Sequence, residues 1–274
     1  MTDELYLVDD TVRRFEATVE RSLDDRVVLD ATHLYPTGGG QPHDTGVLYA
    51  AADPDRRWRV TDVTKTDTIY HTLSPVERDA GADVATVPDP GTVVVGEVDW
   101  DRRRAHARYH TAQHLLSAVL LREFGARTTG NQLYADHAHL DAAYDRFDAD
   151  DLALIESRLN ELVDDDRPVD RYTMDRAAAE ATLDTDRTRI DLLPDSITEL
   201  RIVEIGGLAS ETDDGEETDG DAVDPYDRTA CAGTHVNATG EIGEVVVTGR
   251  ETKGSDEERV RFALAEHLEA DSGR

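Results

Sequence analysis

Two histidines, His110 and His114, lie four positions apart in the sequence. On a helix, residues at i and i+4 share one face with Cβ atoms roughly 5–6 Å apart, so both imidazoles can reach one metal ion. Such spacing is common by chance, and His106, one turn earlier on the same face, offers a competing pair with His110. The spacing therefore predicts a pair of metal ligands but leaves open which two histidines form it.

A cysteine and a histidine, Cys231 and His235, are also four positions apart, with a glycine between them. Thiolate sulfur and imidazole nitrogen together suit Zn²⁺. Because Cys231 is the only cysteine, it cannot form an internal disulfide and is free, catalytic or metal-bound. The alternative for this pair alone is a buried free cysteine beside an incidental histidine.

Together the two pairs predict one four-ligand zinc site per chain. Four simultaneous ligands would make a closed, structural site, whereas release of one would open a position for water or substrate. The sequence has no His-Glu-x-x-His motif and no glutamate within the His110 motif, which argues against peptidase chemistry. His137 and His139 are possible extra ligands, but their alternate placement on a predicted strand favours surface positions.

Three consecutive glycines, Gly38 to Gly40, precede Gln41 and form a third motif. Such a run allows backbone conformations, or close approach of another molecule, that side chains would block. It is not a phosphate-binding loop, because no Gly-Lys-Ser/Thr follows, and it lacks the dinucleotide-binding pattern. From the residues alone it is either part of a site or a tight turn.

Composition restricts the class of protein. The 274 residues include 60 acidic and 29 basic side chains, which gives a net charge of −31. This acidity fits a disordered chain, an acidic partner-binding protein or a globular protein adapted to high salt. The recurring apolar patterns favour the globular, halophilic protein.

No stretch approaches the ~20 apolar residues of a membrane helix. No signal pattern begins the chain, so we expect a cytoplasmic protein.

The periodicity changes near residue 99, which predicts two domains. Residues 1–98 contain short strand-like runs separated by Gly, Pro and Asp, which predict a small β-barrel. Residues 99–274 mix helical and strand patterns without a regular βαβ order, which predicts an α+β domain of two layers. The helices expected there are 102–124, 151–162, with Asp150 as N-cap, and 174–183, and the expected strands are a pair within 134–144, 199–205 and 244–248. The acidic, Gly-rich run 209–224 is predicted to be a surface loop or a disordered insertion.

Three motifs follow one another in a fixed order along the chain. They are Tyr-Pro-Thr-Gly-Gly-Gly-Gln-Pro-His-Asp-Thr-Gly (35–46), His-Thr-Ala-Gln-His-Leu-Leu (110–116) and Cys-Ala-Gly-Thr-His-Val (231–236). In this order they resemble the editing portion of alanyl-tRNA synthetase, and still more its free-standing relatives, the AlaX-type alanyl-tRNA editing proteins. The resemblance spans about residues 11–262. The length, and the absence of an aminoacylation region upstream, match the longer free-standing form that has an N-terminal β-barrel.

The resemblance implies a zinc-dependent trans-editing hydrolase. Such an enzyme removes a wrongly attached amino acid, seryl or glycyl, from alanine tRNA without ATP and so supports translation fidelity. The matched motifs select the pair His110/His114 over His106, which lies outside them. The zinc ligands implied are His110, His114, Cys231 and His235.

The same resemblance places the triple-glycine turn and Gln41 at the edge of the editing pocket. Rejection of cognate alanine requires a hydrogen bond that reads the extra hydroxyl of serine. We expect Gln41, Thr111 and Thr37 to supply that contact as catalytic-site residues. Gln113 departs from the family, which often has threonine there, and this leaves the selectivity of the pocket open.

The partner implied is the acceptor end of tRNA-Ala carrying a non-cognate amino acid. The sequence has only two lysines, so contacts to phosphates must fall to arginines, and Arg102, Arg104 and Arg108 are predicted to make them. Pairing with nearby acids would account for this cluster equally well. Two alternative functions remain: a non-catalytic tRNA-binding module with a structural zinc, and a zinc hydrolase that acts on another ester.

Overall fold

A computed structural model of the protein describes residues 1–76, 86–184, 188, 190, 197–207 and 224–271. The chain divides into two units, Met1–His106 and Ala107–Arg274. The domain limits predicted from the sequence, 1–98 and 99–274, stay a prediction. The predicted acidic insertion at 209–224 lies outside the described residues except for Asp224.

The first unit is built around a closed β-barrel. Its described strands are β1 (Asp3–Glu4), β2 (Arg14–Ser22), β3 (Arg26–Leu29), β4 (Ala31–Thr32), β5 (Gly46–Ala50), β6 (Asp53–Lys65), β7 (Ile69–Pro75) and β8 (Val93–Val98), and a short 3-10 helix covers Leu5–Leu7. Six strands close the barrel in the order β2-β3-β7-β6-β5-β8, each antiparallel to its neighbours. In β2, Phe15, Ala17 and Val19 are buried in alternation with more exposed residues, since successive strand residues face opposite sides. The predicted barrel is confirmed.

The second unit combines two antiparallel sheets with helices. Its described elements are α1 (Trp100–Phe124), which begins before the boundary between the units, β9 (Arg127–Leu133), β10 (Ala138–Ala143), α2 (Ala149–Asp164), β11 (Val169–Asp175), α3 (Arg176–Thr182), β12 (Glu199–Ile205), β13 (Asp227–Ala230), β14 (Val245–Thr252), β15 (Glu258–Leu264), α4 (Ala265–Asp271) and a 3-10 helix, Thr239–Ile242. One sheet has the order β14-β15-β10-β9 and the other β11-β12-β13. The predicted α+β class is confirmed.

Three strands of this unit, β11, β13 and β15, were not predicted, and two predicted features lie at other positions than expected. The strand pair expected within 134–144 is the hairpin of β9 and β10, which begins earlier, at Arg127. The turn between the two strands starts at Tyr134, whose backbone N–H donates to the carbonyl of His137, 2.8 Å away. The N-cap of α2 is Asp148, whose carboxylate accepts from the backbone N–H groups of Asp150 and Asp151 at 2.9 and 3.0 Å. Both differences are shifts along the sequence, and neither changes the type of element.

Helix α1 is buried throughout residues 106–120. Apolar side chains of this stretch, such as Leu115, Leu116 and Leu120, belong to the main core of the second unit. A buried polar side chain is costly unless it is hydrogen-bonded or paired. The helix nevertheless buries six polar side chains past the unit boundary: Arg108, His110, Thr111, Gln113, His114 and Ser117. These residues must therefore be bonded within the protein or belong to a site.

Candidate metal centre

Four side chains from two distant segments converge in the second unit. His110 and His114 project from α1, while Cys231 directly follows β13 and His235 lies in the next loop. Their potential ligand atoms all lie within 4.8 Å of one another. The sulfur of Cys231 is 3.5 Å from Nε2 of His110 and 3.4 Å from Nε2 of His235. One sulfur and three imidazole nitrogens at these distances match the donor set of a tetrahedral zinc site.

The helical spacing explains why the first two ligands meet. The ring centroids of His110 and His114 are 5.4 Å apart, as expected for i and i+4 on one face. The group of ligands contains this pair and does not include His106. His137 and His139 are not members either: His137 is bonded to Asp136 at 2.7 Å and its ring stacks on another side chain. The structure thus brings together the four residues that the motifs predicted.

Two arginines from the three-stranded sheet hold the loop that carries Cys231 and His235. The guanidinium of Arg201 donates to the carbonyls of Cys231 and Gly233 at 3.0 and 2.9 Å. The guanidinium of Arg171 donates to the carbonyl of His235 and, at 3.0 Å, to that of Val236. Each arginine spans two carbonyls, so the ligand loop is fixed through its backbone. The sequence did not identify either residue, because nothing in its local context marks it as contacting the loop.

Glycine is required at position 233 by its surroundings. A Cβ placed on Gly233 would overlap the imidazole of His110. The N–H of Gly233 also donates to the sulfur of Cys231 at 3.3 Å. A donor next to a thiolate stabilises the charged form of the sulfur. Gly233 therefore contributes to the position of one ligand and to the charge of another.

The charges of the cluster are strongly coupled. Burial raises the pKa of the Cys231 thiol, but the imidazoles of His110 and His235 outweigh burial, and the net pKa is well below its ordinary value. Burial lowers the pKa of His114, yet the neighbouring Asp227 carboxylate and Cys231 sulfur outweigh burial and raise it to about 9. Burial is the largest cause that holds the pKa of His235 well below its ordinary value. A thiolate among imidazoles is the protonation state that a metal ion requires from a cysteine ligand.

Thr111 lies behind a ligand. Its hydroxyl donates to the carbonyl of Ala107 at 2.9 Å and lies 3.1 Å from Nδ1 of His235. It also accepts from the backbone N–H of Val236 at 3.3 Å. Three protein groups therefore surround the hydroxyl that was predicted to contact substrate.

Gln113, the departure from the family pattern, has a structural partner. Its amide nitrogen donates to the carbonyls of Gln132 and His139 at 3.0 and 2.9 Å. These carbonyls belong to the hairpin of β9 and β10, so the side chain ties α1 to the sheet. Threonine is too short to make both bonds.

The triple-glycine motif forms a tight turn in the first unit. The backbones of Gly38 and Gln41 exchange N–H···O bonds of 3.0 and 2.9 Å. Gly39 and Gly40 between them have φ of 58° and 79°, the left-handed region that favours glycine. The side chain of Gln41 is buried, and the hydroxyl of Thr37 is 3.2 Å from Nδ1 of His43.

A buried ion pair supports this turn. The guanidinium of Arg103 pairs with the carboxylate of Asp44, which in turn accepts from the N–H of Tyr35 at 2.7 Å. Arg103 also donates to the carbonyls of Asp10, at 2.6 Å, and His33, at 2.5 Å. Arg103 is thus an internal brace of residues 35–44.

The predicted phosphate-contacting arginines differ in exposure. Arg104 is exposed, and Arg102 is half-buried with its Nε donating to the carbonyl of His43 at 3.0 Å. Arg108 is buried, donates to the carbonyl of Ile242 at 2.7 Å and pairs with Glu266. Arg108 therefore has protein partners for its guanidinium.

This chain is similar to domains of tRNA synthetases and to alanyl-tRNA editing proteins. The family of class II (A) tRNA synthetases matches residues 5–102, and the family described as the second additional domain of threonyl and alanyl tRNA synthetases matches residues 200–261. The alanyl-tRNA editing protein AlaX-M of Methanosarcina acetivorans is 37% identical over 266 residues, 96% of this chain and 99% of that protein. The AlaX-M of Methanosarcina barkeri is 38% identical over 268 residues, 97% of this chain and all of that protein. The alanine–tRNA ligase of Pyrococcus abyssi is 33% identical over 273 residues, 97% of this chain but only 26% of the ligase. With this identity along almost the whole of both chains, the protein belongs to the AlaX-M alanyl-tRNA editing protein family, as its three ordered motifs predict.

Proposed function

We propose that this protein is an aminoacyl-tRNA hydrolase that removes a wrongly attached seryl or glycyl group from tRNA-Ala in trans. The observation that carries the proposal is the convergence of His110, His114, Cys231 and His235 in a chain that matches AlaX-M proteins end to end. In the reaction, water adds to the ester carbonyl and the bond to the ribose oxygen breaks. The products are the free amino acid and intact tRNA, and no ATP is consumed.

The donor set fits one zinc ion. One thiolate and three imidazoles would hold it, and when bound it supplies Lewis acidity that either activates water or anchors polar groups of the substrate. The protein's own contribution is to fix the ligands before substrate arrives. Arg171 and Arg201 hold the loop that carries Cys231 and His235, while α1 holds the histidine pair. Fixed orientation of the reacting groups lowers the barrier, because little order remains to be acquired during the reaction.

Selectivity against alanine requires a polar contact. We propose Gln41 and Thr37 for this contact, because both belong to the triple-glycine motif that the family shares. Thr111 is a weaker choice, since the carbonyl of Ala107, the N–H of Val236 and the ring of His235 surround its hydroxyl. A site that bonds a substrate hydroxyl can reject the analogue that lacks it far better than a site that discriminates by size.

We also propose that arginines bind the tRNA backbone. Arg102 and Arg104 support this role, because both lie in the first turns of α1 and Arg104 is exposed. Arg108 does not enter the proposal, because its guanidinium is buried against Ile242 and Glu266. Phosphate contacts of this kind would make tRNA affinity fall as salt rises.

A deacylation assay with seryl-tRNA-Ala and alanyl-tRNA-Ala in high-salt buffer tests the proposal. The native protein should hydrolyse the seryl ester at least ~100-fold faster than the alanyl ester, the ratio that hydrogen-bond discrimination readily exceeds. Cys231→Ala and His114→Ala should lose the activity, while His137→Ala, a change of an exposed histidine, should retain it. Equal hydrolysis of both esters would contradict the editing function.

One alternative function has a structural observation in its favour. All four protein ligands converge, and a site with four protein ligands is commonly structural. In that case metal removal by a chelator should unfold the second unit. We expect instead that circular dichroism of the metal-free protein shows a retained fold while hydrolysis is lost.

A further inference from the structure

We propose that Thr111 and Asp227 form an outer shell of the metal centre: they orient His235 and His114 through the ring nitrogens that face away from the ion, and so set metal affinity. This inference rests on the metal site of the proposed function. Each of the two residues touches a different ligand, and neither belongs to the four-ligand group. The outer partner of a histidine ligand fixes its tautomer and ring orientation.

The bonds of Thr111 determine the tautomer of His235. A hydroxyl has one proton, and that of Thr111 points to the carbonyl of Ala107. With that proton on the carbonyl of Ala107, a lone pair faces Nδ1 of His235, 3.1 Å away, and the proposal places the ring hydrogen on this nitrogen, which donates. The remaining nitrogen, Nε2, keeps its lone pair and points at the sulfur of Cys231 at 3.4 Å. The helix thus holds His235 in the one neutral form that can bind metal through Nε2.

Asp227 has the corresponding position behind His114. Its Oδ2 is 3.3 Å from Nδ1 of His114, long for an ideal hydrogen bond but within the range of an ion pair. Both residues are buried, with 7% of Asp227 and 9% of His114 exposed. A buried carboxylate is strongly disfavoured unless it has a partner, so its place beside the imidazole is not incidental. The carboxylate faces Nδ1 of the ring, and the proposal assigns the other nitrogen, Nε2, to the ion.

Asp227 also balances the charge of the centre. A zinc ion carries two positive charges, and Cys231 is the only anionic ligand in the group. The carboxylate of Asp227 supplies the second negative charge one imidazole away from the ion. An uncompensated charge in a buried site is costly, whereas a compensated one is tolerated. We therefore expect Asp227 to contribute more to metal affinity than Thr111, which orients its ligand without charge.

Competition with a chromophoric zinc chelator tests the proposal on the full chain without tRNA. Thr111→Val, which keeps the shape and removes the hydroxyl, and Asp227→Asn, which removes the charge, should each weaken zinc affinity by about 10-fold to 100-fold. Thr111→Ser keeps a hydroxyl at this position, so its zinc affinity should lie within about threefold of the native value, a smaller change than in the other two variants. With Co²⁺ in place of zinc, the visible spectrum of Thr111→Val should differ from the native one, because the ring of His235 turns.

Two matched variants control for general destabilisation. Thr32→Val removes another buried hydroxyl that contacts a histidine, 3.0 Å from Nε2 of His71 in the barrel. Asp141→Asn removes a carboxylate that pairs with Arg259 and touches no ligand. Both controls should bind zinc like the native protein. Native affinity in Thr111→Val and Asp227→Asn, equal weakening in the controls, or failure of Thr111→Ser to restore binding would each overturn the proposal.

The outcome is separate from that of the deacylation assay. Weakened zinc affinity in a protein that hydrolyses no aminoacyl ester would support the outer shell and refute the editing function. Native affinity in both variants of a protein that edits would refute the outer shell alone.

Discussion

At Gly233 the backbone passes directly beside the ring of His110, where an added Cβ would overlap the imidazole. Gly233→Ala should displace this ring and weaken zinc binding by roughly 10-fold or more, because one ligand leaves its position. The measurement is zinc affinity by chelator competition. Gly254→Ala is the matched control, since no atom lies within 4 Å of its added Cβ, and it should bind zinc normally. Equal affinity in the two variants would show that His110 moves at no cost.

Single residues were predicted only where the local sequence identifies them. The four ligands follow from two short spacings and from the family resemblance, and their convergence is found in the structure. The contact between the Thr111 hydroxyl and His235 could not be predicted, because the two residues are 124 positions apart in the sequence. Asp227 is one of 60 acidic residues, and nothing in its local sequence distinguishes it from the others. The contacts of Gln41 and Thr37 with substrate stay a prediction.

At the scale of elements, the barrel buries a titratable side chain. His71 on β7 is buried, lies 3.0 Å from the hydroxyl of Thr32, and burial lowers its pKa from 6.5 to about 4. The unfolded chain therefore binds more protons than the folded one between these pKa values, so stability falls as the pH falls through that window. Between pH 7.5 and pH 5 the loss from this residue should be about 2 kcal/mol.

Urea denaturation at the two pH values measures this effect. His71→Gln should be less stable than the native protein at pH 7.5, and the difference should shrink by about 2 kcal/mol at pH 5, because glutamine does not titrate. His137→Gln, which changes an exposed histidine, should keep a constant difference from the native protein. A constant difference in His71→Gln would mean that folding does not lower the pKa of His71.

The barrel was predicted from its strand-like patterns, whereas several strands of the second unit were not predicted. The barrel strands alternate buried and exposed residues between Gly, Pro and Asp turns, so their pattern is legible in the sequence. Strand β9 has only one buried residue, Leu133, and lies at the edge of its sheet. Its amphipathic pattern is therefore missing, and the hairpin was placed several residues too late. Strand β13, which is only four residues long, and strands β11 and β15 were not predicted.

For the whole molecule, the dominant property is its net charge of −31. Like charges repel in the compact state, and salt screens them: the Debye length falls from about 10 Å at 0.1 M to about 3 Å at 1 M. Stability should therefore rise by at least ~1 kcal/mol between 0.1 M and 2 M KCl, as measured by urea denaturation. Sucrose, which is excluded from protein surfaces but does not screen charge, is the control and should act more weakly. A midpoint that is independent of KCl would contradict the predicted salt adaptation.

For the whole molecule, the sequence predicted the fold class and the protein family. The α+β class with an N-terminal barrel is confirmed, and the AlaX-M family follows from three ordered motifs. Among the described residues, no helix combines the length and apolar character that a membrane crossing needs. The cytoplasmic location stays a prediction.

The wide separation of the ligand pairs along the chain has a consequence for biosynthesis. Cys231 follows His110 by 121 positions, so a growing polypeptide exposes the histidines long before the cysteine exists. Until then a nascent chain has only two of the four side chains of the candidate site, His110 and His114. Bringing together residues so far apart in the sequence also costs conformational entropy. Only the packing of a nearly complete second unit offsets this cost. In the proposed metal site, loading of an ion would thus be one of the last steps in maturation, and a truncated product lacking residues 231–235 would offer only two of the four proposed ligands.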